Sequence, residues 1–84
     1  MSDHAGEVSE LVARQLGRRQ VAAGDRLIED LAAESIDIVT IVAVLEETYQ
    51  VSVAEERLAA LRTVGDLAGE IARLLGEADA DADR

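Results

Sequence analysis

Ser35 and the acids around it are the side chains through which this sequence could take part in chemistry. The chain contains no cysteine and no lysine, and its single histidine, His4, lies close to the N-terminus. Ser35 therefore has no neighbouring base that would make it a nucleophile. Carboxylates are plentiful, but a catalytic carboxylate needs burial to shift its pKa, and nearly all of these acids fall on polar faces of predicted helices. The inventory argues against an enzyme.

The same inventory limits metal and redox chemistry. Without cysteine the chain can form no disulfide framework and no thiolate metal site. Aspartate and glutamate alone would bind a cation weakly, and the sequence lacks the alternating acids and glycine of an EF-hand loop. We therefore expect no metal site.

Ser35 can still be a residue that another enzyme modifies. It stands immediately before a periodic apolar run, where a helix N-cap belongs. A phosphate ester is stabilised at such a position, because the backbone N–H groups and the helix dipole both favour an anion. A serine there is most often only a cap, so its position alone does not decide between modification and capping.

The helix that would position Ser35 is predicted over residues 35–50. The β-branched residues in its middle favour a strand. However, the run is too long for a typical buried strand, and its apolar residues have helical spacing. The predicted core face consists of Ile38, Ile41, Val42, Leu45 and Tyr49.

The opposite side of this helix carries apolar residues where a small domain normally exposes polar groups. Acids border this strip, which favours a docking surface, whereas burial of the helix on two sides would explain the strip equally well. The residues on this outer side are Ile36, Asp37, Val39, Thr40, Ala43, Glu46 and Glu47.

Three further helices are predicted from apolar spacing and capping signals. A first helix is expected over residues 5–16 and a short one over residues 55–61. The last helix, over residues 64–75, opens with a capping box in which Thr63 and Asp66 take part. The fold class is therefore all-α, a small four-helix bundle with three longer helices and one short helix.

The remaining segments are a long loop and a tail. The loop over residues 17–34 is unusually long for a compact domain, so apolar side chains should pin it to the core. The residues expected to do so are Val21, Leu27, Ile28 and Leu31. The domain should cover residues 1–76, and residues 77–84, which alternate alanine with acids, should form a disordered tail.

Charge and composition indicate the kind of partner. Eighteen acids against eight arginines give a net charge of −10, which repels nucleic acid and favours a partner with a basic patch. No apolar stretch approaches the ~20 residues of a membrane span, and residues 1–7 lack the basic and apolar regions of a signal peptide. We expect a cytoplasmic protein that works as a monomer.

One stretch resembles a known family. Residues 30–37 read Asp-Leu-Ala-Ala-Glu-Ser-Ile-Asp, which is similar to the phosphopantetheine attachment motif of acyl carrier proteins, usually Asp-Leu-Gly-x-Asp-Ser-Leu-Asp. The resemblance extends over about residues 5–75 without a gap. It includes the acidic end of the long helix at residues 45–47. It also includes residues 63–67, which are similar to the Thr-Val-x-Asp start of the family's last helix.

The resemblance implies a carrier function. Ser35 Oγ would be joined by a phosphodiester to 4′-phosphopantetheine, taken from coenzyme A by a phosphopantetheinyl transferase. The terminal thiol of that arm would carry acyl groups as thioesters in a fatty-acid, polyketide or lipopeptide pathway. The further partners implied are acyl-activating, synthase or acyltransferase enzymes with basic docking patches.

The resemblance also implies two sets of site residues. The partner-binding set contains Glu34, Ile36, Asp37, Val39, Thr40, Ala43, Glu46 and Glu47. An acyl-chain cavity between the long helix and the short one would be lined by Val42, Leu45, Val53, Leu58 and Leu61.

Four positions depart from the family's pattern. Glu34 replaces an aspartate, and Ala32 replaces a glycine, so the loop should adopt a conformation that alanine tolerates. Thr40 stands where many fatty-acid carriers have an acid, and Ala43 where they have a larger apolar residue. These changes favour a specialised carrier of secondary metabolism. Two alternatives remain open: a peptidyl carrier that receives amino acids, and an acidic helical adaptor that is never modified.

Overall fold

The computed structural model describes residues 4–77, which form three α-helices and one short 3₁₀-helix. Helix α1 runs over His4–Gln15, α2 over Ser35–Tyr49, the short helix over Glu55–Ala60 and α3 over Val64–Ala72. A π-helical turn, Arg73–Glu77, continues α3. The predicted all-α bundle of three longer helices and one short helix is confirmed, and residues 78–84 of the predicted tail lie outside the described range.

The core is aliphatic and lies between α1, α2 and α3. Helix α1 packs against both of the other two. On α2 the predicted core face is confirmed, since Ile41, Val42 and Leu45 are buried while Ile38 and Tyr49 are partly buried against them. Each such buried side chain contributes about 1.5–3 kcal/mol. The largest fully buried side chains among the described residues are Val8, Val12, Leu27, Ile41, Leu45, Val64, Leu67 and Ile71.

Tyr49 joins the end of α2 to the start of α1. Its hydroxyl donates to Glu7 Oε1 at 2.6 Å, and the His4 ring meets its ring edge-on at 5.5 Å between centroids. Partial burial, together with the hydrogen bond to Glu7, raises the pKa of Tyr49 to about 12. The contact fixes two helix ends that are distant in sequence.

The loop between α1 and α2 is pinned as predicted by Leu27 and Leu31, which are 1% and 6% exposed. Val21 is partly buried against the core. The prediction for Ile28 is wrong, because this side chain is 56% exposed. Residues 27–31 form a helical turn, so adjacent residues point in different directions and only one of the pair can face the core.

Backbone hydrogen bonds tether this loop to the start of α3. Leu27 N–H donates to the Arg62 carbonyl at 2.9 Å, and Gly65 N–H donates to the Ala23 carbonyl at 2.8 Å. A Cβ atom on Gly65 would stand 3.1 Å from that Ala23 oxygen, so a glycine permits the close approach. These hydrogen bonds fix the position of the loop where it leads into α2.

The start of α3 has the capping box that the sequence predicts. Thr63 Oγ1 accepts from Asp66 N–H at 3.0 Å, and Asp66 Oδ2 accepts from Thr63 N–H at 3.1 Å. The backbone N–H groups of Arg62 and Thr63 lower the pKa of Asp66. Within residues 4–77, no helix is long and apolar enough to cross a membrane.

Candidate functional site

Ser35 is exposed and is the first residue of α2. The prediction that it is the N-cap is wrong by one residue, because Glu34 occupies that position with extended backbone angles, φ −97° and ψ 167°. Glu34 N–H donates to Asp37 Oδ2 at 2.9 Å, and the Glu34 carbonyl accepts the first helical bond from Ile38 N–H. These two neighbours of the serine hold the helix start without its help.

The Ser35 hydroxyl is therefore available for chemistry. Within residues 4–77 it has no hydrogen-bond partner, so attaching a group to Oγ would break no internal contact. The first N–H groups of a helix have no intrahelical partner, and with the helix dipole they favour a negative charge at this end. The site therefore fits a phosphodiester on the serine oxygen.

The turn before Ser35 uses a left-handed residue. Ala32 N–H donates to the Ile28 carbonyl at 3.1 Å, which is the 5→1 bond of an αL helix cap, and Ala33 N–H donates to the Leu27 carbonyl at 2.8 Å. The residue that allows this is Ala32, with φ 58°. The expectation of a conformation that alanine tolerates is thus wrong, since the left-handed region costs alanine about 1–2 kcal/mol.

Two arginines fix the same turn. Asp30 Oδ2 accepts from the backbone N–H of Arg26 at 2.8 Å and from its side-chain Nε at 3.1 Å. The hydrogen bond from the Arg26 side chain is the main reason that the pKa of Asp30 is lowered. Arg18 donates from its guanidinium to the Leu31 carbonyl at 3.1 Å. Ala33, 4% exposed, then anchors the chain two residues before Ser35. The aspartate that begins the motif thus holds the turn in shape.

The apolar strip on the outer side of α2 is exposed, so burial of the helix on two sides is excluded within the described chain. Ile36 is 64% exposed and Val39 is 56% exposed, and Ala43 is exposed as well. Ile28, in the preceding turn, is a third large exposed aliphatic residue. Sequence reasoning missed it, because an apolar residue in a long loop carries no signal that separates an anchor from a surface residue.

The polar residues predicted to bind partners divide into two groups. Asp37 and Glu46 have internal hydrogen bonds, the latter accepting from Val53 N–H at 2.8 Å, and Thr40 Oγ1 donates to the Ile36 carbonyl at 2.9 Å. Glu34 and Glu47 are exposed. The carboxylate of Glu47 has no internal partner among residues 4–77.

An apolar cleft of about 240 Å³ opens between the loop, α2 and the short helix. Of the five residues predicted for a cavity, Leu58 and Leu61 line this cleft. Val42 and Leu45 instead lie in the core, and Val53 packs against the core from the connector after α2. The full lining is Leu27, Ile28, Glu29, Ile38, Leu58, Ala59, Leu61 and Arg62.

A second cleft is larger, about 670 Å³, and lies between α1 and residues 19–21. It contains none of the predicted site residues. Its walls mix acids with arginines, including Glu7, Glu10, Arg14 and Arg19. An apolar chain gains most from apolar walls, so the smaller cleft is the better shelter for one.

Comparison with known proteins identifies the family of this chain. The family model described as "Phosphopantetheine attachment site" matches residues 6–71. An acyl carrier protein of Sulfurovum sp. is 36% identical over 62 residues, covering 71% of this chain and 83% of that protein. One from Wolinella succinogenes is 33% identical over 63 residues, covering 73% and 83%.

A solved structure has the same fold. BlmI, a type-II acyl carrier protein of Streptomyces verticillus involved in bleomycin biosynthesis, matches with a TM-score of 0.76 over 86% of each chain, at 22% identity. The expected cofactor, 4′-phosphopantetheine, follows from the family and fits the exposed hydroxyl at the start of α2. This chain belongs to the acyl carrier protein family and carries acyl groups on 4′-phosphopantetheine.

Proposed function

We propose that Ser35 Oγ is the oxygen to which phosphopantetheine is attached, and that the chain acts as a carrier rather than as a catalyst. One observation carries the proposal. Ser35 is the exposed first residue of α2. Glu34 and Asp37 cap the start of this helix, so Ser35 is not needed for capping. A serine with no structural task, at a position that favours an anion, is suited to modification by another enzyme.

The bound group would supply a thiol that holds acyl groups as thioesters. The chain's own residues would position the serine and shelter the acyl chain. The turn held by Asp30 and Ala33 fixes where the serine stands, and the apolar cleft beside Ile38 and Leu58 would take up an acyl chain. Burial of apolar surface in this cleft would keep such a chain out of water.

The proposed partners are a phosphopantetheinyl transferase and biosynthetic enzymes with basic docking patches. The net charge of −10 supports their capture through long-range attraction. The apolar centre of the contact would be Ile36 and Val39, with Glu34 and Glu47 at its rim. A specialised biosynthetic pathway, a monomeric state and a cytoplasmic location, which the sequence suggests, belong to the same proposal.

The test is intact-mass analysis after incubation with coenzyme A, Mg²⁺ and a transferase of broad specificity. We expect the protein to gain one phosphopantetheine, and Ser35→Ala to gain none. Ser52→Ala is the matched control, because Ser52 is also an exposed serine but lies in the connector after α2. It should be modified like the parent protein. No gain with several transferases, or a gain that persists in Ser35→Ala, would refute the attachment.

The alternatives predict different results. An unmodified adaptor would keep its partner after Ser35→Ala and lose it after charge reversal on the outer side of α2. A peptidyl carrier would be modified at Ser35 in the same way but would accept aminoacyl groups from an adenylating enzyme. Loading assays with acyl and aminoacyl donors on the modified protein separate these two carrier classes.

A further inference from the structure

One side chain beside the end of α1 reaches the turn that leads into Ser35. Arg18 donates from Nη2 to the Leu31 carbonyl oxygen at 3.1 Å. Among residues 4–77, no other group donates to this oxygen. The last carbonyls of a helical turn lack a partner within the turn, and an arginine side chain can supply one. Arg18 thus ties the end of α1 to a turn thirteen residues away in sequence.

The end of α1 fixes the backbone of Arg18. Gly17 has φ 69°, the left-handed conformation with which a helix commonly ends. Arg18 N–H donates to the Ala13 carbonyl at 2.8 Å, and Ala13 is only 4% exposed. The guanidinium therefore extends to the turn from a backbone that is bonded to a buried part of α1.

The contact acts on the peptide unit that joins Leu31 to Ala32. A peptide unit is planar, so its carbonyl and its N–H turn together. Both are bonded here, since the carbonyl accepts from Arg18 and Ala32 N–H donates to the Ile28 carbonyl at 3.1 Å. The orientation of the unit also sets φ of Ala32, which is 58°. Rotation of the unit would bring Ala32 to the negative φ that residues with a Cβ atom prefer, but it would break both hydrogen bonds.

The other anchors of the turn leave this rotation open. The side chains of Leu31 and Ala33 are buried, and Ala33 N–H donates to the Leu27 carbonyl. These contacts hold the two side chains and the next peptide unit, and neither of them involves the atoms that rotate. The bonds from Arg18 and from Ala32 N–H are therefore the two that oppose the rotation.

We propose that Arg18 is a positioning residue for the attachment of phosphopantetheine to Ser35. The inference rests on the proposed function. Rotation of the peptide unit changes the conformation of Ala32 and hence the direction in which residues 33–35 leave the turn. Arg18 opposes that rotation and so keeps the serine in the position that a transferase binds. A protein that is only partly in its binding-competent state binds with an affinity reduced by that fraction, so the loss of Arg18 raises KM and leaves kcat unchanged.

The test compares Arg18→Met with Arg19→Met. Both arginines are exposed, and both substitutions remove one positive charge, so an effect of charge alone is common to the two variants. Arg19 has no internal partner among residues 4–77. Modification by a transferase with coenzyme A and Mg²⁺ is measured over a range of carrier concentrations. The KM of Arg18→Met should be about fourfold higher than that of Arg19→Met, with kcat equal to within about twofold.

The same pair of variants in an Ala32→Gly background separates positioning from a general loss of stability. Glycine adopts positive and negative φ about equally readily, so rotation of the peptide unit relieves no strain there. The effect of Arg18→Met on KM should therefore fall below about twofold in this background. A purely structural role of Arg18 would leave its effect on KM the same with alanine or glycine at position 32.

Amide hydrogen exchange on the unmodified chain measures the turn itself. Rotation frees Ala32 N–H, which should exchange about tenfold faster in Arg18→Met than in Arg19→Met. Equal KM values in these two variants, or equal exchange at Ala32, would overturn the inference. Absence of modification in the parent chain would instead refute attachment at Ser35, and the exchange rates would still decide whether Arg18 holds the turn.

Discussion

Glu46 and Glu47, two acids on the outer side of α2, differ in their internal contacts. Glu46 accepts a hydrogen bond from Val53 N–H, whereas Glu47 is exposed without an internal partner among residues 4–77. The two are adjacent in sequence and carry the same charge. Structure and partner binding can therefore be separated by comparing them.

We expect Glu47→Lys to weaken the capture of a basic partner enzyme without lowering the melting temperature, because it breaks no internal contact and reduces the excess of negative charge. Glu46→Ala should lower the free energy of unfolding by about 1 kcal/mol, because Val53 N–H loses its acceptor. Binding titrations and chemical denaturation measure the two effects. A loss of stability in Glu47→Lys, or none in Glu46→Ala, would contradict this division.

At this scale the sequence predicts the position of the serine proposed for attachment, but not which residue caps the helix. A serine at the N-cap and a serine at the first helical residue look alike when the next residues are the same. What separates them is the hydrogen bond from Glu34 N–H to Asp37, and an acid three residues after another acid is a weak form of the capping signal. The correct assignment needed the backbone angles of Glu34.

Among the elements, α2 has a left-handed residue near each end. Ala32 has φ 58° three residues before α2 begins, and Gln50 has the same φ at its C-terminal end. Both residues have a Cβ atom, so the left-handed conformation costs each of them free energy. Gln50 recovers some of the cost, because its Nε2 donates to the Glu47 carbonyl at 2.8 Å.

Ala32→Gly should therefore raise the free energy of unfolding by about 0.5–1 kcal/mol, the relief of left-handed strain less the added flexibility of the unfolded chain. Gln50→Gly is the control and should gain less, because it also removes the side-chain hydrogen bond. Urea denaturation of both variants gives the comparison. If Ala32→Gly proves less stable than the parent, the turn before Ser35 is not strained.

The helices themselves are predicted from spacing, while the loop is not. In α2 the apolar period outweighs the strand preference of the β-branched residues, because burial of Ile41 and Leu45 on one face decides the structure. In the loop, the exposure of Ile28 and the left-handed conformation of Ala32 depend on the direction in which one helical turn faces. That direction is set by bonds to Arg62 and to α3, which are remote in sequence.

For the whole molecule, the excess of acids should limit stability. A net charge of −10 on 84 residues favours the expanded chain through self-repulsion. Added salt screens these charges, so the melting temperature should rise between low and moderate concentrations of NaCl or MgCl₂. Near pH 4.3, where the net charge vanishes, the increase should disappear. A melting temperature that stays flat or falls with salt at neutral pH would show that repulsion is not limiting.

The junction between Tyr49 and Glu7 has an optical consequence. The sequence contains no tryptophan or phenylalanine, so Tyr49 supplies the whole near-ultraviolet absorption of the chain. Since its pKa is raised from 10 to about 12 in the folded state, folded and unfolded molecules form tyrosinate at different pH. The protein thus contains an unlabelled chromophore that reports whether the two helix ends are docked, at the far end of α2 from the serine.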